Sequence, residues 1–449
     1  MKLIKNQILE AEITETNMLG FGVCKIDGAV VFVQNGVEGD KAEIRIIKCA
    51  KNYYIARIEK LITPSEHRAE PKCPYFKRCG GCNFQHIEYP HEKELKQNFV
   101  KSCFLKQGMK VEVLPVLSTD KVSGYRNKGQ FPVTLGEDGK VVCGFYSPKS
   151  HKVCPIDFCD IQDPAFASIC NFVCRYLTEH EILPYNEEEQ AGMVRHIYLR
   201  RGVVSGEIML CLVLKVDAFN LAEDFVKAVS NNFPEIKSIS LNIQPKPNNV
   251  ILGKESRVIY GKEKISDVLC DRELLISSHS FYQVNHDAAQ LLFHTAFSMA
   301  NLSEFDCIVD LYCGIGSISL ATKTKGEILG VEIVSEAVED AKENAKLNGV
   351  TNANYLCGDA GDAFRLIKER KSEKPLYIVD PPRKGLEEKL ISDMAENGAD
   401  NVLYISCSAE TFARDVKLFC DLGYHLDKVQ PVDLFPRSGH VECIGFLYR

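Results

Sequence analysis

The chain has 449 residues, a formal net charge of −7 and 19 cysteines, a length that is typical of two to four domains with large cores. The lysines near the amino terminus are followed by no sustained apolar run, and no run is long enough to cross a bilayer. These features argue against secreted and membrane-spanning classes. Many cysteines without an export signal indicate a reducing compartment, where thiols serve metals or catalysis more often than disulfides. We therefore expect a soluble, cytoplasmic protein without a membrane partner.

The charge is divided unevenly along the chain. Residues 70–130 contain eleven Lys and Arg against six Asp and Glu, whereas residues 271–449 contain eighteen against twenty-eight. A basic region beside an acidic catalytic domain is compatible with RNA binding, because the local field rather than the total charge attracts phosphate. On charge alone, ordinary solvated surfaces explain the same pattern equally well.

Residues 1–62 read as short strands that alternate in hydrophobicity and are broken by glycines. Val30–Val33 is followed by the turn dipeptide Asn35-Gly36 and by two further strand-like runs. Several such strands separated by turn signals predict a small β-barrel. The pattern resembles a TRAM domain, a small barrel of RNA-modifying enzymes, although any other small barrel fits these residues as well.

Residues 63–270 are predicted to form an α+β middle domain. They begin with a C-x5-C-G-G-C set, Cys73 to Cys82, and continue with a polar stretch over 91–108 whose apolar residues have nearly helical spacing. Strand-like runs follow as far as Ile265. The helical stretch is a candidate to pack against the last domain despite its position in the chain.

Residues 271–449 alternate strands with helices, which predicts a mostly parallel, Rossmann-like sheet. A buried strand runs into the turn Asp310–Gly316, and Glu332, which ends the next strand, is placed to accept the ribose hydroxyls of a nucleotide-like cofactor. Asp359 closes the following strand and is placed to meet the adenine amino group. The missing third glycine favours S-adenosylmethionine, which has no pyrophosphate, over a NAD-type cofactor.

Three further residues indicate the chemistry at the ends of later strands. Asp380 opens Asp-Pro-Pro-Arg383, where the fourth strand meets the cleft beyond the carboxyl ends of the sheet. Cys407 follows an apolar run and is a candidate nucleophile, and Glu442 is a candidate proton acceptor. Amino methyltransferases place an aromatic residue where this chain has Arg383, so an arginine there followed by a cysteine predicts methylation of carbon rather than nitrogen.

The order of these motifs resembles the RNA uracil-5-methyltransferase family, which acts on 23S rRNA or tRNA. The resemblance covers essentially the whole chain, including the barrel and the CGGC cluster. Its motifs are Ser280 to Asn285, DLYCGIGSISL, DPPRKGL, YISCSAETFARD and HVECIGFLYR. One departure is Ser408-Ala409, where the family usually has Asn-Pro after the nucleophile.

The resemblance implies a role for each of these residues. Carbon 5 of uracil is too weak a nucleophile to take a methyl group directly, so a Cys407 thiolate would add to carbon 6 and make carbon 5 electron-rich. Glu442 would then remove the carbon 5 proton, with Asp380 orienting the uracil and also lying at the methyl donor. Gln283 and Tyr312 would contact S-adenosylmethionine together with Glu332 and Asp359. Because a buried thiol reaches only an unstacked base, we expect the uracil to be flipped into the pocket, where Phe281 is a candidate to stack on it.

The resemblance also implies that Cys73, Cys79 and Cys82 hold a [4Fe-4S] cluster. The fourth ligand is Cys159 or Cys154, and Cys159 stands where the family ligand falls. Zinc is the alternative, although zinc sites favour a shorter first spacing. The spacing does not match the three-cysteine triplet of radical enzymes.

Two other classes of function remain from the sequence, a sulfur-inserting enzyme with a TRAM barrel and a non-catalytic RNA-binding protein. The position of the barrel and the absent radical triplet argue against the first, and the presence of Cys407, Glu442 and Asp380 argues against the second. We expect a monomeric enzyme that acts on 23S rRNA, with tRNA as the second candidate substrate.

Overall fold

The computed structural model describes residues 3–364 and 372–449. The strands form three sheets and a separate hairpin, and their order in the chain follows the predicted barrel, α+β and Rossmann-like regions. The boundaries 1–62, 63–270 and 271–449 themselves stay a prediction. None of the helices in the described part of the chain is long and apolar enough to span a membrane.

The amino-terminal region is a six-stranded sheet in the order β1-β5-β6-β4-β3-β2. Its strands are β1 Ile8–Glu12, β2 Glu15–Thr16, β3 Phe21–Ile26, β4 Ala29–Gln34, β5 Lys41–Cys49 and β6 Tyr54–Thr63. Alternate residues such as Ala42, Ile44 and Ile46 are buried, as expected for strands with one face on a core. Asp27 and Gly28 both have positive φ, the conformation of a two-residue hairpin turn that matches strand twist.

A long helix and a short strand follow the first three cysteines, α1 Tyr89–Lys106 and β7 Glu112–Val113. In the folded chain α1 packs on the last sheet, and β7 is one of its strands. Phe104 packs edge-on against Phe412, with ring centroids 5.9 Å apart, and β7 pairs in parallel with a strand near the carboxyl terminus. The polar stretch with helical spacing is therefore a helix, and it packs against the methyltransferase sheet.

The middle sheet has seven strands in the order β10-β9-β8-β11-β12-β13-β14, with two helices packed on it. Its elements are β8 Lys128–Leu135, β9 Val141–Tyr146, β10 Val153–Pro155, α2 Pro164–Glu179, β11 Val194–Arg201, β12 Ile208–Leu214, α3 Ala222–Asn232, β13 Ile236–Ile243 and β14 Glu255–Gly261. A hairpin, β15 Ile265–Leu269 and β16 Arg272–Ile276, leads into the last region.

The last sheet has eight strands in the order β19-β18-β17-β20-β21-β23-β22-β7. Its remaining elements are α4 His286–Ala300, β17 Cys307–Leu311, α5 Ser317–Ala321, β18 Glu327–Glu332, α6 Ser335–Leu347, β19 Ala353–Cys357, β20 Pro375–Val379, α7 Glu388–Glu396, β21 Asn401–Ser406, α8 Ala409–Asp421, β22 His425–Val432 and β23 Glu442–Tyr448. A short 3-10 turn, Leu302–Glu304, precedes β17.

Both faces of this sheet are covered, which explains why its central strands are continuously apolar. Ile308 points to a core shared with α4, α5 and α6, whereas the adjacent Val309 points to a core shared with α1, α7 and α8. The five strands from β17 to β21 are parallel, and the chain runs outwards in both directions from β17. This reversal creates a crevice at the carboxyl ends of β17 and β20, where open α/β sheets bind their ligands.

Candidate active site

A cavity of about 720 Å³ opens at this crevice. All the residues predicted for catalysis and for the methyl donor line it, although they come from seven separate segments of the chain: Gln283, Tyr312, Glu332, Asp359, Asp380, Cys407 and Glu442. Their convergence is an observation, and the role of each residue stays a prediction. Phe281, also predicted, lies at the same cavity with 63% of its surface exposed.

The donor side of the cavity is formed by the turn after β17 and the end of β18. The Gly314 N–H donates to Glu332 Oε2 over 3.2 Å, and the Val334 N–H donates to Glu332 Oε1 over 3.0 Å, so the carboxylate is fixed in place. Tyr312 has a φ of 90°, which is strained for a residue with a side chain and is found most often at functional sites. A preorganised acidic side chain beside a strained turn suits the binding of a nucleoside.

Asp310, a residue that was not predicted for the site, lies beneath this turn. It is fully buried, and one of its oxygens accepts the Ser319 N–H over 3.2 Å. Burial raises its pKa to about 7, and the bonds from Ser319 only partly offset this effect. The signal that could have found it is a carboxylate inside an otherwise apolar parallel strand, where an acidic residue is costly.

Cys407 lies directly between β21 and α8. Ser408 is the N-cap of α8, since its Oγ accepts the Thr411 N–H over 3.4 Å. Serine and asparagine are both strong N-caps, so Ser408 preserves the cap that the usual asparagine would provide, whereas Ala409 lacks the fixed φ of proline. The thiol thus sits at a helix N-terminus, a position that favours the thiolate.

Glu442 is brought to the thiol by strand register. The antiparallel pairing of β21 with β23 joins Ser406 to Cys443, which places Glu442 beside Cys407 at the end of the two strands. The two residues are thirty-five positions apart in the chain, and only this pairing brings the carboxyl to the thiol.

The charged groups around Cys407 shift the pKa of its thiol in opposite directions. Burial raises the pKa of Cys407 to about 11, and the Glu442 and Asp380 charges add to the rise while Arg383 lowers it. Burial also raises the pKa of Glu442 to about 8 and that of Asp380 to about 7. Two carboxyl groups close to neutral pKa are typical of groups that move protons near pH 7.

The loop after β20 is held over the cavity by α8. Asp415 Oδ2 accepts the Leu386 N–H over 2.8 Å and the Tyr404 hydroxyl over 2.6 Å, and Arg414 Nη2 donates to the Leu386 carbonyl over 3.1 Å. Gly385 has a φ of 75°, and a side chain there would clash with Asp415. The element that carries Asp380 and Arg383 is therefore positioned by buried polar contacts.

His440 is a second cavity residue that sequence analysis missed. Its Nε2 lies 3.4 Å from Arg383 Nη2, and its ring packs edge-on against Phe435, with centroids 5.8 Å apart. Desolvation in the cleft and the Arg383 charge lower the pKa of His440 to about 4, so the ring is neutral and Nε2 accepts from Arg383. The available signal was its position two residues before Glu442, because alternate residues of an extended chain face the same way.

The four predicted cluster ligands line a second cavity, of about 300 Å³, between the CGGC segment and the middle sheet. Cys154 is buried on β10 and, among the residues the structure describes, is not part of this lining. Arg126 and Lys128 also line this cavity. Within residues 3–364 and 372–449, no three His, Cys, Asp or Glu side chains are close enough to hold one metal ion.

Zinc sites and iron–sulfur clusters need different arrangements of their thiolate ligands. A zinc site needs donors about 2.3 Å from one point, whereas an iron–sulfur cluster spreads its thiolates around a larger body. Burial raises the pKa of Cys82 to about 12 and that of Cys79 to about 11, and the neighbouring thiols add to both effects. All four thiols line one cavity, and the identity of a metal group there stays a prediction.

The doubly covered parallel sheet, its cleft and the attached barrel define a methyltransferase fold with an RNA-binding module. A TRAM domain model matches residues 2–58, and the tRNA (uracil-5-)-methyltransferase family model matches residues 89–449. The chain belongs to the tRNA (uracil-5-)-methyltransferase family. The predicted family and fold class are thereby confirmed, and so is the prediction of an RNA uracil-5-methyltransferase that uses S-adenosylmethionine.

Individual relatives agree with this assignment. The chain is 38% identical over 448 residues to an RNA methyltransferase of Bacillus cereus, which covers 99% of this chain and 97% of the relative. An RNA methyltransferase of Streptococcus agalactiae is 38% identical over 450 residues, covering both chains completely. Among solved structures, the tRNA (uracil-54, C5)-methyltransferase of Pyrococcus abyssi in complex with S-adenosyl-L-homocysteine has a TM-score of 0.78 and 26% identity, covering 98% and 99% of the two chains.

Proposed function

We propose that this enzyme methylates carbon 5 of a uridine in 23S rRNA through a covalent adduct with Cys407. The observation that carries the proposal is that Cys407, Glu442 and Asp380 line the same cavity as the predicted donor residues. A nucleophile, a base and a donor site must all reach one uracil ring for this reaction, and a cavity of about 720 Å³ can hold a base beside a nucleoside donor.

The first step is attack by the Cys407 thiolate on carbon 6 of the flipped uracil. Arg383 lowers the pKa of the thiol, and the N-terminus of α8 acts in the same direction. When bound, S-adenosylmethionine supplies an electrophilic methyl group that carbon 5 can attack. Phe281, exposed at the mouth of the cavity, supports stacking of the unstacked base.

The last step is removal of the carbon 5 proton, which allows the thiol to leave. Glu442 is fully buried and has a pKa of about 8, so it can both accept and release a proton near neutral pH. Asp380, next to it in the cavity, is suited to hold the uracil ring by a hydrogen bond. These assignments are proposed from the family resemblance, and the shared cavity and the chemistry of each group support them.

We also propose that Cys73, Cys79, Cys82 and Cys159 hold a [4Fe-4S] cluster. Support comes from the cavity that these four thiols share, and from Arg126 and Lys128 in its lining, which suit an anionic cluster. The cluster would not contact the reacting uracil or the methyl donor, because its ligands line a separate cavity. The enzyme is proposed to act as a monomer in the cytoplasm.

The choice of 23S rRNA over tRNA is tested with labelled S-adenosylmethionine and both unmodified RNAs in parallel. Digestion to nucleosides identifies the product. Label in 5-methyluridine from 23S rRNA supports the full proposal, whereas the same nucleoside from tRNA retains the mechanism and replaces the substrate. The tRNA alternative is favoured by the similarity to the Pyrococcus abyssi tRNA enzyme. Binding of the donor without label in either RNA would favour a non-catalytic RNA-binding protein.

A further inference from the structure

One loop of the active site makes most of its described polar contacts with a distant part of the chain. We define the active-site loop as residues 433–440, between β22 and β23. Phe435 and His440 in this loop line the catalytic cavity, and the loop ends two residues before Glu442. Its conformation therefore decides where one wall of the uracil pocket lies.

The middle of the loop is bonded to the segment that directly follows Cys82. The Arg437 carbonyl accepts the Asn83 N–H over 2.8 Å and the Phe84 N–H over 3.1 Å. Asn83 Oδ1 in turn accepts the Gly439 N–H over 3.3 Å. Arg437 has a φ of 69°, a conformation that residues with side chains avoid unless the surroundings hold them there.

The Arg437 side chain extends the same connection to α1. Its Nη1 donates to the Ile87 carbonyl over 2.9 Å and lies 3.4 Å from Glu92 Oε2, while the Arg437 N–H donates to Glu92 Oε1 over 2.8 Å. The guanidinium also lies 5.5 Å from the centroid of the Tyr89 ring. These contacts supply the surroundings that the positive φ requires.

The start of the loop is fixed by buried charges. Lys96 Nζ lies 2.8 Å from Glu92 Oε1 and 2.8 Å from Asp433 Oδ1, and all three side chains are fully buried. The Tyr89 hydroxyl donates to Asp433 Oδ2 over 3.0 Å. Charges this deeply buried are tolerated only when they are paired, so the loop and α1 hold each other in one arrangement.

The same segment is bonded to the cysteine cavity at its other end. Gln85 Oε1 accepts the Cys73 N–H over 3.2 Å, and Gln85 Nε2 lies 3.5 Å from Cys82 Sγ. Asn83 thus has a cysteine on one side and is bonded to the active-site loop on the other. Cys82 is therefore one peptide unit away from the N–H group that the Arg437 carbonyl accepts.

We propose that Asn83 and Arg437 are positioning residues that couple the cysteine cavity to the uracil pocket. The segment held by Cys82 keeps the active-site loop in the conformation that places Phe435 and His440. The proposal rests on the proposed function for its kinetic consequence, but the mechanical connection can be measured without any substrate. It gives the cysteine cavity a role in catalysis although it lies outside the reacting site.

The first test is hydrogen exchange on the holoenzyme. Asn83→Ala and Cys82→Ser are each expected to speed exchange of peptides covering 433–441 by about tenfold, the change expected for loss of one hydrogen bond. Peptides covering 310–333 at the donor side should be unchanged. Cys154→Ser is the matched control and should leave both regions as in the wild type. Unchanged exchange in 433–441 for both variants would overturn the proposal whether or not the proposed reaction is correct.

The second test is a double-mutant cycle on methylation. Arg437→Gly keeps the positive φ and the carbonyl but removes the side chain, so we expect kcat to fall about tenfold with an unchanged affinity for S-adenosylhomocysteine. Arg437→Lys should restore part of the loss. Combined with Cys82→Ser, the two effects should not add, because both act through the same connection. Additive effects, or a parallel fall in S-adenosylhomocysteine affinity, would contradict a positioning role.

Discussion

The catalytic cleft and the cysteine cavity both hold partly buried thiols, but the groups around these thiols differ. Cys407 stands alone at a helix N-terminus, between two carboxyl groups and Arg383. In the cysteine cavity, Cys159 raises the pKa of both Cys79 and Cys82, and Arg126 and Lys128 line the same cavity. Burial raises the pKa of the thiols in both places. The surrounding groups decide whether the thiolate forms transiently for catalysis or permanently as a metal ligand.

The largest expected effect on methylation is that of replacing Cys407. Cys407→Ala should lower methylation by more than about 10³-fold, as removal of other catalytic nucleophiles does, while RNA binding persists. The measurement is label transfer together with filter binding of RNA. Cys49→Ala, an exposed thiol of the barrel, is the control and should behave as the wild type. If Cys407→Ala retained methylation, Cys407 would not be the nucleophile, and the proposed contrast between a catalytic thiol and metal-ligand thiols would fail.

The base beside that thiol should give the next largest effect. Glu442→Gln keeps the shape of the side chain but cannot accept the carbon 5 proton, so turnover should fall by about 10²–10⁴-fold. The methylated RNA then stays attached to Cys407, and a denaturing gel should show a covalent complex. Absence of that complex with an active donor would assign the proton transfer to another group.

A substitution in the cysteine cavity should remove bound iron and leave the catalytic nucleophile in place. Cys159→Ser should remove most of the bound iron and sulfide, measured on anaerobically purified protein. Cys154→Ser is closely matched, since it lies five residues away and outside the described cavity lining, and should retain the iron. Equal iron content in the two variants would contradict the choice of Cys159.

Arg383 gives a smaller effect with a defined pH dependence. It lowers the pKa of Cys407 and of Glu442, so Arg383→Gln should raise both. Because thiolate and carboxylate are the active forms, kcat/KM of the wild type should rise with pH between about 6 and 9, and the variant should need a higher pH. One pKa unit corresponds to about a tenfold loss at pH 7. Arg383→Lys keeps the charge and should shift the profile less.

The smallest effect concerns stability. The pKa of Glu442 rises from 4.5 to about 8 on folding, so the native state binds more protons between these values and loses stability as pH increases through them. Glu442→Gln removes this loss. Its melting temperature should exceed that of the wild type by a few °C at pH 8 and by little at pH 5. A gain that is equal at both pH values would show that burial of this carboxyl is not its cause.

Local signals were sufficient for much of the fold and for part of the cleft. The donor turn after β17 and the acidic residue that ends β18 can be read from periodicity and glycine placement, because they depend on neighbours within about twenty residues. The cap at Ser408 is equally local. The roles of Cys407 and Glu442, in contrast, were inferred from a family resemblance and not from spacing.

Only the tertiary structure decided which distant segments of the chain are in contact. The chain by itself determined the classes of its three regions, since hydrophobic period and turn residues act locally. It did not determine that α1 and β7 join the last sheet, that Lys96 pairs with Asp433 across 337 positions, or that Asn83 holds Arg437. Many lysines and aspartates can pair in principle, and backbone carbonyls carry no sequence signal. Only packing around a common core selects which of them meet.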